Sequence, residues 1–369
     1  MSTINYLTRI EFGEGEVRRL PEFLAALGIS RPLIATDRGL VASGLVGRIL
    51  EPVANATVFD QTPSNPTEEA AVLAYDLYKS AHCDGVVAIG GGSSIDLAKA
   101  VRLLTGHPGP LEQYAAINGG VKRIQNTMCP MIAIPTTAGT GSEVGRAAII
   151  NTLSGRKLGI LSPFILPSIA LCDPELTYGL PPFLTAATGM DAISHCLETF
   201  MAPAFNPPAE AIGLHGLAAG LGAIETATRD GTNVPARRDM MVAALEGAMA
   251  FQKGLGAVHA LTHALGAIHS LNLHHGTLNA LLMPAVLRFN RPAIGAKWSV
   301  LARIMGGEPD AVIAALNGRL GLPAGLATLG VTEAMMETVA DAALLDHCHA
   351  TNPQLASRDN YLDLLRESR

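Results

Sequence analysis

Apolar positions in the first half of the chain fall in short β-rich runs separated by stretches of helical periodicity. Residues 32–37 read as a buried strand, 67–80 as a helix, 84–89 as a second strand, 94–104 as a helix and 130–135 as a further strand. Residues 147–150, 157–161 and 169–171 add strands or a hairpin. Strands alternating with helices in this way predict a largely parallel α/β sheet. After Pro181-Pro182 the pattern changes to long Ala/Leu/Met-rich segments of helical period: 181–201, 208–228, 234–252, 259–271, 277–289 and 310–320. The expected division is an α/β domain over residues 1–178 and an all-helical domain over 179–369. No internal repeat or low-complexity tract interrupts either half.

Composition narrows the function classes. Hydrophobic residues make up 49% of the 369 positions and charged residues 16%, enough apolar matter for two cores and for a face against a second copy. A net charge of −6 without any basic run argues against nucleic acid or an anionic membrane as partner. The start, Met1-Ser2-Thr3-Ile4-Asn5, has no charged-then-apolar leader pattern, and no run of 18 apolar residues occurs, so a cytoplasmic protein is expected. Cys83, Cys129, Cys172, Cys196 and Cys348 are scattered and never form C-x-x-C, which reads as reduced thiols.

Chemistry concentrates in two histidine segments. Asp191-x-x-x-His195 and His259-x-x-x-His263 both have the spacing that puts side chains on one helical face, and His275 follows just before Gly276. A carboxylate and imidazoles converging from two helices suit a divalent first-row metal. In the α/β half, the strand 84–89 runs into Gly90-Gly91-Gly92-Ser93-Ser94-Ile95-Asp96, where a helix begins. Glycines, hydroxyls and the free N–H groups of a helix start can cradle phosphate, although this is not the G-x-G-x-x-G fingerprint and a serine-capped turn is the plainer alternative. Pro135-Thr136-Thr137-Ala138-Gly139-Thr140-Gly141-Ser142-Glu143 is a second candidate cradle after a strand. Asp37, closing the first strand, can accept from both ribose hydroxyls and repels a 2′-phosphate, or is simply a turn aspartate.

These motifs, with Gly254-Leu255-Gly256-x-Val258-His259-x-x-x-His263-x-Leu265-Gly266, resemble the iron-dependent (group III) alcohol dehydrogenases, from Phe12 to the C-terminal helices. The resemblance implies a dehydroquinate-synthase-like fold: an N-terminal dinucleotide-binding α/β domain and an all-α C-terminal domain. It implies metal ligands at Asp191, His195, His259 and His275, with Fe²⁺ as the ion and Zn²⁺ an alternative. It implies contacts to NAD, with NADP disfavoured by Asp37, at Asp37, Asn65, Gly91, Gly92, Ser93, Ser94, Asp96, Thr136, Thr137, Thr140, Lys157 and Leu176. His263 matches the family histidine between metal and nicotinamide, a candidate proton relay. A homodimer is expected, with edge-strand pairing near the N-terminus.

Some features depart from the family. The stretch from His263 to His275 is two residues longer than in common members, and His274 adjoins His275, although His275 directly precedes the glycine as the family ligand does. The segment Phe251-Gln252-Lys253-Gly254 is one residue short. Lys253, near the metal helix, raises the expectation of a substrate bearing a carboxylate, the alternative being an exposed lysine at a helix start. His347-Cys348-His349 looks like a metal tripeptide but reads as the end of a helix, and His269 and His274 are candidates to line the pocket. The activity expected is hydride transfer between NAD(H) and a small alcohol or aldehyde. A maleylacetate-reductase-like oxidoreductase lacks the full metal set, and a dehydroquinate-synthase-type lyase calls for several basic residues in its pocket.

Overall fold

Short runs of Val, Ile, Leu and Ala buried on both faces build the first half. The computed structural model describes residues 8–369, with the side chain of His269 left aside; residues 1–7 and the leader reading made on them lie outside it. Strands β1 (Arg9–Phe12), β2 (Pro32–Ala35), β3 (Thr57–Phe59), β4 (Gly85–Gly90), β5 (Met131–Pro135) and β8 (Ile169–Cys172) form one sheet. Its order is β1-β8-β5-β4-β2-β3, and every pairing is parallel. β6 (Ala147–Asn151) and β7 (Lys157–Leu161) make a separate antiparallel hairpin.

Strand residues alternate between two apolar layers, as the two-residue period requires. Val86, Ala88, Met131 and Ala133 face one layer, packed with residues of α4 (Glu68–Ser80) and α5 (Gly92–Gly106). Val87, Ile89, Ile132 and Ile134 face the other, with α1 (Leu20–Ala26) and α3 (Leu45–Leu50). Helices thus cover both faces, which is why the strands are apolar throughout. The short α2 (Arg38–Ala42) begins directly after β2 and is capped by Asp37.

The second half is helical: α6 (Pro182–Met201), α7 (Pro207–Arg229), α8 (Val234–Ala250), α9 (Ala257–Gly266), α10 (His275–Ile294), α11 (Ala296–Met305), α12 (Pro309–Arg319), α13 (Glu333–Leu344) and α14 (Arg358–Glu367). α6 is the centre of this unit, packed against α7, α8 and α10, and buried along nearly its whole length. The expected helix over 259–271 is shorter than its apolar pattern: α9 stops at Gly266, and a separate 3₁₀ turn covers His269–Leu271.

The chain divides into two compact units, residues 8–137 with Gly141–Tyr178, and Gly179–Arg369 with Ala138–Thr140. Three residues of the Thr/Gly-rich loop therefore belong with the helical unit. No helix among the described residues is long and apolar enough to cross a membrane.

Candidate metal centre and nucleotide loops

Asp191 and His195 lie one turn apart on α6, His259 near the start of α9 and His275 at the start of α10. Packing of α6 against α10, and of α10 against α9, brings one ligand-type atom of each within 4.8 Å of the others. The three Nε2 atoms converge on one oxygen: Asp191 Oδ1 is 3.3 Å from His195, 3.7 Å from His259 and 3.6 Å from His275. Metal–ligand bonds of about 2.0–2.1 Å in a tetrahedron separate neighbouring donors by roughly 3.3 Å, so the set is close to coordination size. Asp191, His195 and His259 are buried, whereas the His275 side chain is 31% exposed and marks the open side.

Gly276 explains how His275 reaches the cluster. A Cβ there would sit 2.0 Å from the Ala187 carbonyl oxygen, so only glycine lets the start of α10 touch the α6 backbone. His274 serves differently. It is the N-cap of α10, its Nδ1 accepts from Thr277 N at 3.4 Å, and its ring packs edge-on against Phe183.

Three residues that sequence reasoning missed complete the surroundings. Glu198, one turn beyond His195 and fully buried, takes His259 Nδ1 at 2.5 Å with Oε2 and accepts from Val258 N at 2.7 Å with Oε1. Asn279 Nδ2 donates to Asp191 Oδ1 at 2.7 Å and lies 3.3 Å from His259 Nε2. Asp346 Oδ2 accepts from His263 Nδ1 at 2.9 Å. The 191/195/198 spacing was a readable signal for Glu198, since i, i+3 and i, i+4 share a face; nothing local signals Asn279 or Asp346.

Electrostatics favour a cation in this cluster. Burial opposes the charge on Asp191, yet His195, His275 and His259 outweigh it and hold the carboxyl below its usual range. Burial pushes His195 down to about 3, against the opposing pull of Asp191. In His259 burial acts the same way, but Glu198 and Asp191 overcome it and raise the ring to about 9, the mark of a field that draws positive charge. Carboxylate, imidazoles, spacing and field all fit a divalent ion.

His263 stands apart from the four. Its ring lies 5.9 Å from that of His259 and 5.6 Å from that of His275, centroid to centroid. Lys253 corrects the sequence reading. It is neither an exposed lysine nor a substrate anchor: its buried Nζ donates to the carbonyls of Thr199, at 3.0 Å, of Phe200 and of Ala202, and pairs with Glu210. It caps the C-terminal end of α6, where cations offset the unpaired carbonyls. The five cysteines are free thiols, four of them buried.

In the α/β unit Asp37, Gly91, Gly92, Ser93, Ser94, Thr136 and Thr137 follow the ends of β2, β4 and β5, at the carboxyl edge of three adjacent strands, whereas Asn65, Lys157 and Leu176 come from other segments. Gly90 has φ +154, and a Cβ there would meet Ser94 Oγ at 2.5 Å. Gly91, not a serine, is the N-cap of α5, so Gly92, Ser93 and Ser94 form its first turn with N–H groups lacking intrahelical acceptors. Thr136 N donates to Gly90 O at 3.0 Å, tying the two loops together, and Thr137 sits beside Gly91.

Several of these side chains already have protein partners. Asp37 Oδ1 accepts from Leu40 N at 3.0 Å, and Ser93 Oγ donates to Ser64 O at 2.5 Å. Asp96 accepts from Ser142 Oγ at 2.5 Å and Ile149 N at 3.0 Å. Lys157 Nζ donates to Asn65 Oδ1 at 3.1 Å. Leu176 is in the apolar layer beside Ile169 and Leu171, and Thr140 falls in the helical unit.

A parallel sheet with this carboxyl-edge loop pair, and a helical unit holding an Asp/His₃ cluster, suit a nucleotide- and metal-dependent enzyme. The family model described as iron-containing alcohol dehydrogenase matches residues 8–174, and its C-terminal companion matches residues 185–369. The chain belongs to the iron-containing alcohol dehydrogenase family and is an alcohol dehydrogenase of that kind. It is 52% identical to 4-hydroxybutyrate dehydrogenase of Cupriavidus necator, with all of both chains covered. Among solved structures, a 1,3-propanediol oxidoreductase superposes with a TM-score of 0.95 at 31% identity over the whole of both chains. Sulfoacetaldehyde reductase of Bifidobacterium kashiwanohense, in complex with NAD⁺, gives a TM-score of 0.91 at 28% identity, covering 99% of this chain and 98% of that one.

Proposed function

We propose that the chain is an NAD-dependent, iron-containing dehydrogenase that interconverts a small primary alcohol and its aldehyde, with an ω-hydroxy carboxylate of the 4-hydroxybutyrate type as substrate. The convergence of three imidazole Nε2 atoms on Asp191 Oδ1 is the observation that carries it. A divalent ion held by Asp191, His195, His259 and His275 supplies stabilisation of negative charge on the substrate oxygen, and NAD supplies the hydride acceptor. Zn²⁺ suits the same ligands.

The chain's own residues do the rest. Glu198 holds the Nδ1 side of His259, so its Nε2 faces the cluster, and Asn279 fixes the rotamer of Asp191. Asp346 does the same for His263: with Nδ1 engaged, Nε2 is the end left to carry the alcohol proton toward solvent. Burial disfavours charge on Asp346, but His263 outweighs this and keeps the carboxylate ionised. The first turn of α5 and the Thr136–Thr137 loop bind the pyrophosphate, with Asp37 selecting NAD over NADP.

The carboxylate in the substrate is supported by the full-length relative at 52% identity, and the NAD-bound relative likewise acts on an anionic aldehyde. Lys253 is not its anchor. β1 is an edge strand of its sheet among the described residues, and the proposed homodimer would form by pairing of that edge with a second copy. The test is NADH formation by enzyme loaded anaerobically with Fe²⁺, offered 4-hydroxybutyrate, 1,3-propanediol or ethanol with NAD or NADP. The highest kcat/KM is expected for 4-hydroxybutyrate with NAD; no turnover of any alcohol by metal-loaded enzyme would refute the reading.

A further inference from the structure

A second group of ligand-type side chains adjoins the Asp191 cluster in the helical unit, on the far side of His263's ring contacts with His259 and His275. α13 ends at Leu344, and the turn after it sets Asp346, His347 and Cys348 against His263 of α9. One donor atom of each lies within 4.8 Å of the others. Asp346 Oδ2 is 2.9 Å from His263 Nδ1, and Asp346 Oδ1 is 3.6 Å from His347 Nδ1. Cys348 Sγ is 3.5 Å from His347 Nε2, and the His263 and His347 rings stack with centroids 5.8 Å apart. Cys348 N donates to Asp346 Oδ1 at 2.8 Å, which closes the turn. Cys348 is buried, while the His347 side chain is 45% exposed and gives the group a solvent edge.

We propose that His263, Asp346, His347 and Cys348 form a second cation site, for a thiophilic divalent ion such as Zn²⁺ or Cd²⁺. Two imidazoles, a carboxylate and a thiol can complete a tetrahedron, and one donor atom of each already lies within 4.8 Å of the others, so modest side-chain movement reaches the roughly 3.3–3.7 Å expected between donors bonded at about 2.0–2.3 Å. The sulfur makes this set softer than the oxygen and nitrogen donors around Asp191, so the two sites sort metals by type. On binding, a metal–sulfur bond forms, the S–H bond breaks and the proton leaves to water. Occupancy also engages His263 through Nδ1 and draws Asp346 away from it, which inhibits turnover. That inhibition rests on the relay role given to His263 above; the binding does not.

The test titrates enzyme carrying its catalytic metal with Cd²⁺, without nucleotide. The expected result is one Cd²⁺ equivalent bound with the iron retained, a thiolate-to-Cd²⁺ charge-transfer band in the ultraviolet, and turnover falling as the band grows. Cys348→Ala should abolish the band and the extra equivalent. His347→Gln, at a solvent-facing position, should keep the fold and weaken binding at least about tenfold. No band in the unmodified chain, binding unchanged in both variants, or Cd²⁺ uptake matched by iron loss would overturn the site. A band and an extra equivalent with turnover unaffected would uphold the site and overturn the relay assignment of His263 instead.

Discussion

The Asp191 cluster and the nucleotide loops handle their polar groups in opposite ways. In the helical unit, three imidazole Nε2 atoms approach one carboxylate oxygen across 3.3–3.7 Å, and Glu198 and Asn279 hold His259 and Asp191 there. In the α/β unit, the side chains of Asp37, Ser93, Asp96 and Lys157 are engaged with other protein groups. What the loops offer outward is the backbone of α5's first turn. A metal is gripped by side-chain atoms that neighbours such as Glu198 and Asn279 orient, whereas a phosphate is cradled by main chain that side chains merely shape. Substitutions should therefore act as losses of a ligand in one region and as changes of loop geometry in the other.

The largest effect is expected from Asp191→Ala, which removes the one oxygen on which all three Nε2 atoms converge. Metal analysis should find the ion gone and turnover lost with it, while NAD binding, measured by fluorescence or calorimetry, persists. Retention of the ion would break the comparison at its root. Next comes His263→Ala, which should retain the metal and lower kcat by about 10²–10⁴-fold, the range for a lost general acid–base. Unchanged kcat would demote His263 to packing. Glu198→Gln is milder: the ring of His259 keeps a partner but loses its charge, and metal affinity should fall about 10–100-fold in a chelator competition.

Local pattern explains why so much of this was legible. The spacing of Asp191 with His195 places both on one face of α6, the family resemblance pointed to His275 before Gly276, and two-residue alternation encodes which strand side chains enter each apolar layer. Glu198, Asn279 and Asp346 contact partners 61, 88 and 83 residues distant, and no periodicity carries such information. Lys253 was misread for the same reason, because a lysine beside a metal motif shows nothing of the carbonyls at the end of α6 that it will meet. β3 has only three residues, with Val58 exposed, so its apolar signal is faint.

Glu143 sharpens the comparison from the loop side, since it is a buried carboxylate like Glu198 but without comparable donors. Burial raises it from 4.5 to about 7, against smaller opposing contributions from its own backbone and Lys99. Between those two values the folded chain holds a proton that the unfolded chain releases, so stability declines as pH rises through that window and levels off above it. The full swing is about 3 kcal/mol at 1.36 kcal/mol per unit. Glu143→Gln should flatten this decline in urea midpoints measured at about pH 5 and pH 8; an unchanged slope would place the carboxylate in a more polar setting.

Asp37 should give the smallest effect and the finest discrimination, because it does two jobs with one carboxylate. Its Oδ1 caps α2 through Leu40 N, and its charge is proposed to exclude a 2′-phosphate. Asp37→Ala removes both, so it should cost about 1 kcal/mol of stability as a lost N-cap and also relax the NAD preference. Asp37→Asn keeps the capping oxygen and discards only the charge, since Asn caps about as well as Asp. Stability should then stay near that of the parent while KM for NADP falls. If Asn leaves the cofactor preference untouched and Ala changes only the melting temperature, Asp37 is a capping residue alone, and selection between the two cofactors resides in the backbone of the loops.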